Sequence, residues 1–416
     1  MIGRFAMAVV LSVPASAQPA VYRPSSELPP EVLLLSRIKQ RASMDFAHIP
    51  NFTCRETIQR FRGHAAKAMK KADTVEVEVA NIDNRELYAW PGERRFEERS
   101  ITEMVGSGLV SDGEYISDAH NALLGGTGRI TYRGMDRIAG RDAVAYDFSF
   151  SPAFSPYTLM IGEAKAVIGE KGSFWADPVT HTLLRVSFVG TEIPDFLGVR
   201  DTTVQIDYGR VRIGDVDALL PVKAMTALTR ESGETIRNDI EFTRCRQYTA
   251  ESVLSAEPPA DIISPPLTPP PPGEVVLPLG YDIHIRLTAA IPLASAKVGD
   301  PIEAELESDL KVKQKVFVPK GALVAGRIRL LQKLAGESAL GLELDEISFG
   351  RTRVRFTATL VDAGAAYSVR HARNGRAIVT EGLPEIDGVS ILRLPGETHT
   401  LRRGMRMEWK IIGAGE

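Results

Sequence analysis

After Pro50, apolar and polar side chains alternate in one short run after another, the pattern of β-strands that bury one face. In "DTVEVEVAN", three valines (Val75, Val77 and Val79) fall on one side and charged residues on the other. The same alternation recurs before residue 250 in "RITYRG", "AVAYDFSF", "GSFWAD", "TLLRVSFVG", "TTVQIDYG" and "TIRNDIEFTRC", with turn residues between many of the runs. Short connections favour antiparallel neighbours. The sequence therefore predicts a long antiparallel sheet here.

Few helices are available to cover the apolar face of that sheet. Residues 31–47 have helical spacing and no breaker before Pro50, with apolar side chains at Val32, Leu35, Ile38, Ala42 and Phe46. A second, shorter helix is predicted near residues 111–124. An apolar sheet face must pack against another element. We expect these helices to cover a curved sheet incompletely and to leave an apolar cavity beneath them.

The clearest boundary in the chain is a proline-rich segment, residues 255–276. Proline removes backbone donors and interrupts sheets and helices, and it favours an extended spacer. The sequence predicts an α+β domain over residues 25–254 and a linker over residues 255–276. An all-β domain, residues 277–416, follows. A docking motif for a partner that binds proline-rich segments is the alternative for the linker.

The last part of the chain also alternates strongly. Ile283, Ile285 and Leu287 are interleaved with polar residues, and turns are indicated at Gly299-Asp300 and Lys320-Gly321. Many short strands around glycine-containing turns are typical of a small barrel or a sandwich.

The start of the chain resembles a secretory signal, with Arg4, an apolar run and Ala15-Ser16-Ala17. This pattern predicts cleavage after residue 17. The apolar run is shorter than the ~20 residues that a membrane-spanning helix needs. We expect a periplasmic or secreted protein whose mature chain has no transmembrane segment. An uncleaved anchor or a core helix is the alternative.

The chain contains two cysteines, Cys54 and Cys245. In an oxidising compartment two cysteines most simply form one disulfide. Both lie in strand-like runs, so we expect the bridge to join the first and last strands of one sheet, edge to edge. Two unpaired buried thiols are the alternative.

No motif in the chain predicts catalysis. A formal net charge of −3 does not favour nucleic-acid binding. The seven histidines lack the spacing of a helical zinc pair, and no Cys-x-x-Cys occurs, so we predict neither a metal nor a cofactor. Asp118 and His120 are close in sequence, but no serine nearby has the nucleophile motif. We assign no catalytic residue.

The phrase "GSFWADPVTHTLLRVSF" resembles a hairpin of the LolA/LppX-like lipoprotein carriers. In that superfamily a strand ends in tryptophan-x-Asp-Pro, turns and returns, which corresponds here to Trp175, Asp177, Pro178 and residues 183–188. The resemblance implies a half-barrel: one curved antiparallel sheet with covering helices. It also implies a lipid or lipoprotein ligand.

The last 140 residues resemble the carboxy-terminal barrel of conjugation-channel proteins of type IV secretion. The residues that match in order are Leu277, Gly280, Gly299, Pro319, Gly321 and Gly326. The long helical insertion that forms the pore in that family has no counterpart, so the resemblance implies a barrel that docks on an envelope protein partner, without channel activity.

These patterns predict a non-enzymatic envelope protein that binds a lipid or a lipidated or hydrophobic partner in an N-terminal half-barrel. The residues expected to line the binding site are aromatic: Trp90, Phe148, Trp175 and Phe188. Two alternatives stay open. One is a structural or adaptor protein of the cell envelope without a ligand, and the other is an exported hydrolase with an unrecognised site.

Overall fold

The computed structural model describes residues 28–64, 68–82, 85–93, 96, 101–105, 109, 115–126, 128–162, 164–248, 277–312, 315–334, 336–364, 368–370, 372–373, 376–377, 386–396 and 399–414. The predicted signal segment (1–17) and the predicted linker (255–276) lie outside these residues, so both stay predictions, as do the domain boundaries. Across the described ranges, no helix combines the length and the apolar character needed to cross a bilayer.

The described residues up to 248 form the predicted combination of helices and an antiparallel sheet. In chain order the elements are α1 (Pro30–Ala47), β1 (Phe52–His64), β2 (Lys70–Ile82), β3 (Arg85–Ala89), α2 (Ile101–Val105), α3 (Tyr115–Leu124), β4 (Arg129–Ile138), β5 (Arg141–Phe150), β6 (Thr158–Ile161), β7 (Ala164–Val167), β8 (Gly169–Ala176), β9 (Leu183–Thr191), a 3-10 turn (Asp195–Leu197), β10 (Val199–Ile213), β11 (Val216–Arg230) and β12 (Glu234–Gln247). Ten strands form one sheet in the order β3-β2-β1-β12-β11-β10-β9-β8-β5-β4, and β6 and β7 form a separate hairpin.

The path of the chain through this sheet explains where the helices lie. The chain enters the sheet in its interior at β1, runs outward to one edge at β3, and resumes at the opposite edge at β4. It then returns to β12, which pairs with β1. The helices α2 and α3 belong to the crossing between the two edges. Helices α1 and α3 contact each other and both contact β11, so they lie on the same face of the sheet.

The predicted disulfide between Cys54 and Cys245 is confirmed. It joins β1 and β12, the first and last strands of the sheet, over a sequence separation of 191 residues. The expectation that the bridge runs edge to edge is wrong, because the edges are β3 and β4. The chain starts in the sheet interior, and its first and last strands therefore become neighbours.

The remainder of the described chain is all-β, as predicted, and closes into a barrel. Its strands are β13 (Asp282–Leu287), β14 (Ile291–Pro292), β15 (Pro301–Leu306), β16 (Leu310–Val312), β17 (Lys315–Val318), β18 (Leu323–Leu334), β19 (Glu337–Phe349), β20 (Thr352–Asp362), β21 (Ser368–Arg370), β22 (Ala372–Arg373), β23 (Arg376–Ala377), β24 (Ser390–Pro395), β25 (Thr400–Leu401) and β26 (Arg406–Ala414). Pairing of β18 with β19 closes the order β18-β15-β13-β26-β20-β19, and β24 and β21 continue from β19.

A loop of the barrel pairs with the ten-stranded sheet at β2. Strand β3 pairs only with the end of β2, residues 78–82, which leaves the backbone near Thr74 and Glu76 open. Val298 uses that stretch: its N–H donates to Thr74 O at 2.8 Å, and its carbonyl accepts from Glu76 N–H at 2.9 Å. The next residue, Gly299, has a φ of +101°, and a Cβ there would come within 2.4 Å of Glu76 O. Only glycine fits this approach without strain.

Removal of the disulfide should destabilise the protein, since the bridge restricts a long loop in the unfolded chain. For the Cys54→Ala/Cys245→Ala double variant we expect a loss of about 5 kcal/mol as an upper figure. Urea unfolding gives the free energy of unfolding, and reduction of the wild-type protein should give a similar loss. Equal stability of the double variant and the oxidised wild type would contradict this expectation.

Candidate functional site

One face of the ten-stranded sheet is apolar from strand to strand, and it is called the inner face below. Cross-strand register places one residue from each of eight neighbouring strands in a continuous row. Every side chain in this row is buried: Val75, Ile58, Ile240, Ala224, Ile206, Val186, Phe174 and Tyr146. At ~25 cal/mol per Å² of buried apolar surface, such a row contributes strongly to folding when it is covered. The same property lets it bind another apolar surface.

Helices α1 and α3 lie over the inner face, and α2 packs into the same apolar core. The three are called the helical cover below, and α1 is attached to the sheet by polar contacts. The Tyr146 hydroxyl donates to Glu31 O at 2.6 Å. Arg210 donates to both oxygens of the Asp45 carboxylate at 2.7 and 2.8 Å. The sequence placed Val32 on the buried face of this helix, which is wrong, since Val32 is 42% exposed. Helix α1 therefore depends on its attachments as well as on packing.

The other two helices of the cover are attached through backbone carbonyls. The Tyr208 hydroxyl, on β10, donates to the carbonyl of Tyr115 at the start of α3 at 2.5 Å. Arg329 comes from the barrel and donates to the carbonyl of Met104 in α2 at 2.8 Å. The Arg329 guanidinium also lies over the ring of Trp90, 5.2 Å from its centroid. The barrel therefore contributes directly to the position of α2.

A carboxyl group lies among the apolar residues of the inner face. Alternation along β1 points Glu56 to the same side as Cys54 and Ile58, and its side chain is 1% exposed. Its cross-strand neighbours are Val77 and Phe242. The Glu56 Oε2 atom has no hydrogen-bond partner among the described residues. A buried polar atom without a partner costs about 1–3 kcal/mol of stability.

Burial raises the pKa of Glu56 to about 8, because removal from water disfavours the charged form. The pKa of Tyr88 is raised well above its usual value, first by burial and then by the charges of Glu86 and Glu56. The ring of Tyr115 packs edge-on against Phe242 with centroids 5.8 Å apart. Below pH 8 Glu56 is therefore mainly a neutral acid, with one O–H donor, in an aromatic and apolar setting.

The opposite face of the sheet is polar. Its side chains form a cross-strand row of alternating charge (Glu241, Lys223, Asp207 and Arg185), in which Lys223 forms an ion pair with Glu241 and Arg185 forms one with Asp207. An open cavity of about 270 Å³ lies on this face, lined by Thr57, Gln59, Gln205, Asp207, Lys223, Ala224, Met225, Asp239, Ile240 and Glu241. Its charged groups form ion pairs within the sheet, and the cavity is open to solvent.

The four residues predicted to line a binding site lie in three places. Phe148 and Phe188 are both buried on the inner face, with ring centroids 6.4 Å apart. Trp90 is buried where the barrel contacts the first sheet, beneath Arg329. Trp175 lies on the polar face, where its indole N–H donates to Asp136 at 2.9 Å. Of these four, only Phe148 and Phe188 are brought together, and a role in ligand binding stays a prediction for all four.

Trp175 points away from the inner face because the adjacent residue, Phe174, points into it. Phe174 stacks on Tyr146 at 5.4 Å, and successive strand residues face opposite sides. The predicted turn after Trp175 is present: Asp177 accepts from the backbone N–H groups of Val179 and Thr180 at 2.9 and 2.8 Å. These two hydrogen bonds lower the pKa of Asp177.

Asp118 and His120 do not form a catalytic pair. Both lie on α3, two residues apart, and residues at that spacing on a helix face different directions. The His120 ring contacts the Phe46 ring, with centroids 6.0 Å apart. Within the described ranges, no cluster of three or more histidine, cysteine or acidic side chains is arranged to hold a metal ion.

Comparison with solved structures finds LolA-superfamily and LppX chains that align with about half of this chain. A LolA superfamily protein from Nitrosomonas europaea has 12% identity and a TM-score of 0.27, with 52% of this chain and 94% of that chain covered. The lipoprotein LppX from Mycobacterium tuberculosis has 9% identity and a TM-score of 0.19, with 53% and 98% covered. The MucA/MucB complex from Pseudomonas aeruginosa has 13% identity and a TM-score of 0.19, with 88% and 94% covered.

No protein-family model and no curated protein matches the chain. The solved structures carry no argument about a ligand at identities and TM-scores this low, so a binding function has to be argued from the geometry of this chain. The resemblance of residues 277–416 to the barrel of conjugation-channel proteins stays a prediction.

The Glu56→Gln variant should change how stability depends on pH. The folded pKa of Glu56, about 8, lies above its value in the unfolded chain, so the wild type loses stability as pH rises from about 4.5 to 8. At ~1.4 kcal/mol per pKa unit, the variant should gain up to about 4 kcal/mol relative to wild type at pH 8 and little at pH 4.5. Urea unfolding at both pH values measures the difference.

The matched control is Glu303→Gln, at an exposed position on β15. It should follow the wild-type pH profile. Parallel profiles for Glu56→Gln and wild type would show that Glu56 is ionised in the folded protein.

Proposed function

We propose that this chain is an exported, non-enzymatic envelope protein that binds a lipid, or the acyl group of a lipidated partner, between the inner face and the helical cover. The observation that carries the proposal is the inner face itself. It is a buried apolar row eight strands wide that packs against α1 and α3, of 18 and 10 residues, with the five-residue α2 in the same apolar core. Acyl chains bind such surfaces because their own apolar area leaves water.

The way the cover is attached supports entry of a ligand. Each helix is held by one or two polar side chains. Tyr146 and Arg210 bind α1, Tyr208 binds α3 and Arg329 binds α2. Each of these hydrogen bonds contributes only about 1 kcal/mol net, and the larger apolar packing that a displaced helix loses has to be replaced by contacts with the ligand. An acyl chain can then replace the helical cover as the apolar partner of the inner-face row.

The expectation of an incompletely covered face is wrong along the described inner-face row, which is fully buried by the protein's own side chains, and this favours a second candidate. A structural or adaptor protein of the envelope, without a ligand, would use the same sheet as a closed core. In that case the barrel, residues 277–416, would supply the contact with an envelope partner. The two candidates differ in whether the cover opens to an apolar molecule.

Binding of N-phenyl-1-naphthylamine, an uncharged fluorophore that brightens in apolar surroundings, tests the proposal. We expect saturable binding by the full chain, and lipid mass spectrometry of protein purified from its native host should find a co-eluting acyl lipid. Absence of both signals would favour the adaptor.

The Tyr208→Phe variant should take up this fluorophore roughly fivefold faster than wild type, because loss of one hydrogen bond of ~1 kcal/mol loosens α3. Stopped-flow fluorescence measures the rate. The matched control is Tyr132→Phe, at a half-exposed tyrosine on the edge strand β4, and it should behave as wild type. Equal rates for both variants would show that α3 does not move when the ligand enters.

A further inference from the structure

We propose that Glu56 recognises the carbonyl group of the bound acyl chain by donating a hydrogen bond to it. This inference rests on the proposed function and adds the chemical class of the ligand's polar end. The ligand is then an ester, amide or protonated acid of a long chain, and a pure hydrocarbon or an ammonium head group fits the site less well. Glycerolipids and acylated proteins share this carbonyl chemistry.

The position of Glu56 supports this assignment. It lies on β1, next to β12 in the interior of the sheet, with Val77 and Phe242 as its cross-strand neighbours. A chain that lies along the inner face therefore passes this carboxyl between apolar side chains. Its Oε2 atom has no described hydrogen-bond partner, so a ligand displaces no existing hydrogen bond there.

The protonation state of Glu56 decides which polar group of a ligand fits beside it. No ion pair to Glu56 is present among the described residues, and burial raises the pKa of this acid to about 8. At pH 6.5 the group is a neutral donor, and a carbonyl oxygen is a matching acceptor. An ammonium group would have to be buried with the carboxylate that it ionises, at a large desolvation cost.

Glu170, another buried carboxyl on the inner face, provides a contrast. It pairs across the sheet with Phe150 and Gly190 and is 5% exposed. Burial raises its pKa to about 7, and a hydrogen bond with Ser155 lowers it. Glu170 therefore already has a partner within the protein, and it serves as the control.

The test compares displacement of N-phenyl-1-naphthylamine from the full chain at pH 6.5 by methyl laurate and by pentadecane. The two molecules are matched in size and differ in the ester. We expect Glu56→Leu to lower the ratio of ester to alkane affinity by about tenfold, the effect of one buried hydrogen bond. The free energy of transferring each ligand out of water is the same for every variant. It therefore cancels when the affinity ratios of two variants are compared.

Two further variants sharpen the result. Glu56→Gln keeps an N–H donor and should keep most of the ester preference, and Glu170→Gln should keep all of it. An unchanged ratio in Glu56→Leu would overturn the proposal. So would stronger Glu56-dependent displacement by dodecylamine, which would indicate an ion pair.

The outcomes separate this inference from the function on which it rests. The fluorophore and both ligands could bind while Glu56→Leu leaves the ratio of ester to alkane affinity unchanged. That result would support lipid binding and contradict the carbonyl contact. If wild type and Glu56→Leu both fold, as shown by circular dichroism, and neither binds the fluorophore, both proposals fall. Glu56→Leu removes a carboxyl whose buried Oε2 atom has no hydrogen-bond partner in the described part of the chain, and the variant should be at least as stable as wild type.

Discussion

The pairing of β1 with β12 determines how the rest of the first sheet is arranged. These strands are separated by almost the whole N-terminal part of the chain, yet they are neighbours joined by the Cys54–Cys245 bridge. With its first and last strands side by side, the chain has to leave the sheet at one edge and re-enter it at the other. That crossing contains α2 and α3, so the strand order and the helical cover have one cause.

The helical cover combines strong and weak interactions in a way that suits reversible binding. Its apolar contacts with the inner face are broad, but the directional contacts that fix each helix are few. Tyr208 and Tyr146 on the sheet reach backbone carbonyls of α3 and α1, and Arg329 reaches α2 from the barrel. Glu56, whose buried Oε2 atom has no hydrogen-bond partner among the described residues, lies beneath this cover and reduces the stability of the closed state. A closed core that served stability alone would gain from an apolar residue at this position.

Much of the fold could be predicted from the alternation of residues, because burial of one strand face acts locally in sequence. The binding site was harder to predict. Phe174 and Trp175 are adjacent, so only one of them could face inward, and the alternation of the strand would have identified Phe174. Glu56 also carried a signal, as an acid at an inward position of a strand. No signal in the sequence predicted the contact between Tyr208 and Tyr115, because this contact depends on how a helix and a strand distant in sequence meet.

The pairing of Val298 with β2 has a consequence for solubility. An open stretch of β-strand backbone is a template on which another chain can add a strand and begin to aggregate. Here β3 is too short to shield all of β2, and a loop of the barrel pairs with the open backbone at Thr74 and Glu76. The barrel therefore protects this part of β2 from pairing with another molecule. Cleavage of the chain between the sheet and the barrel would expose these backbone groups and promote aggregation.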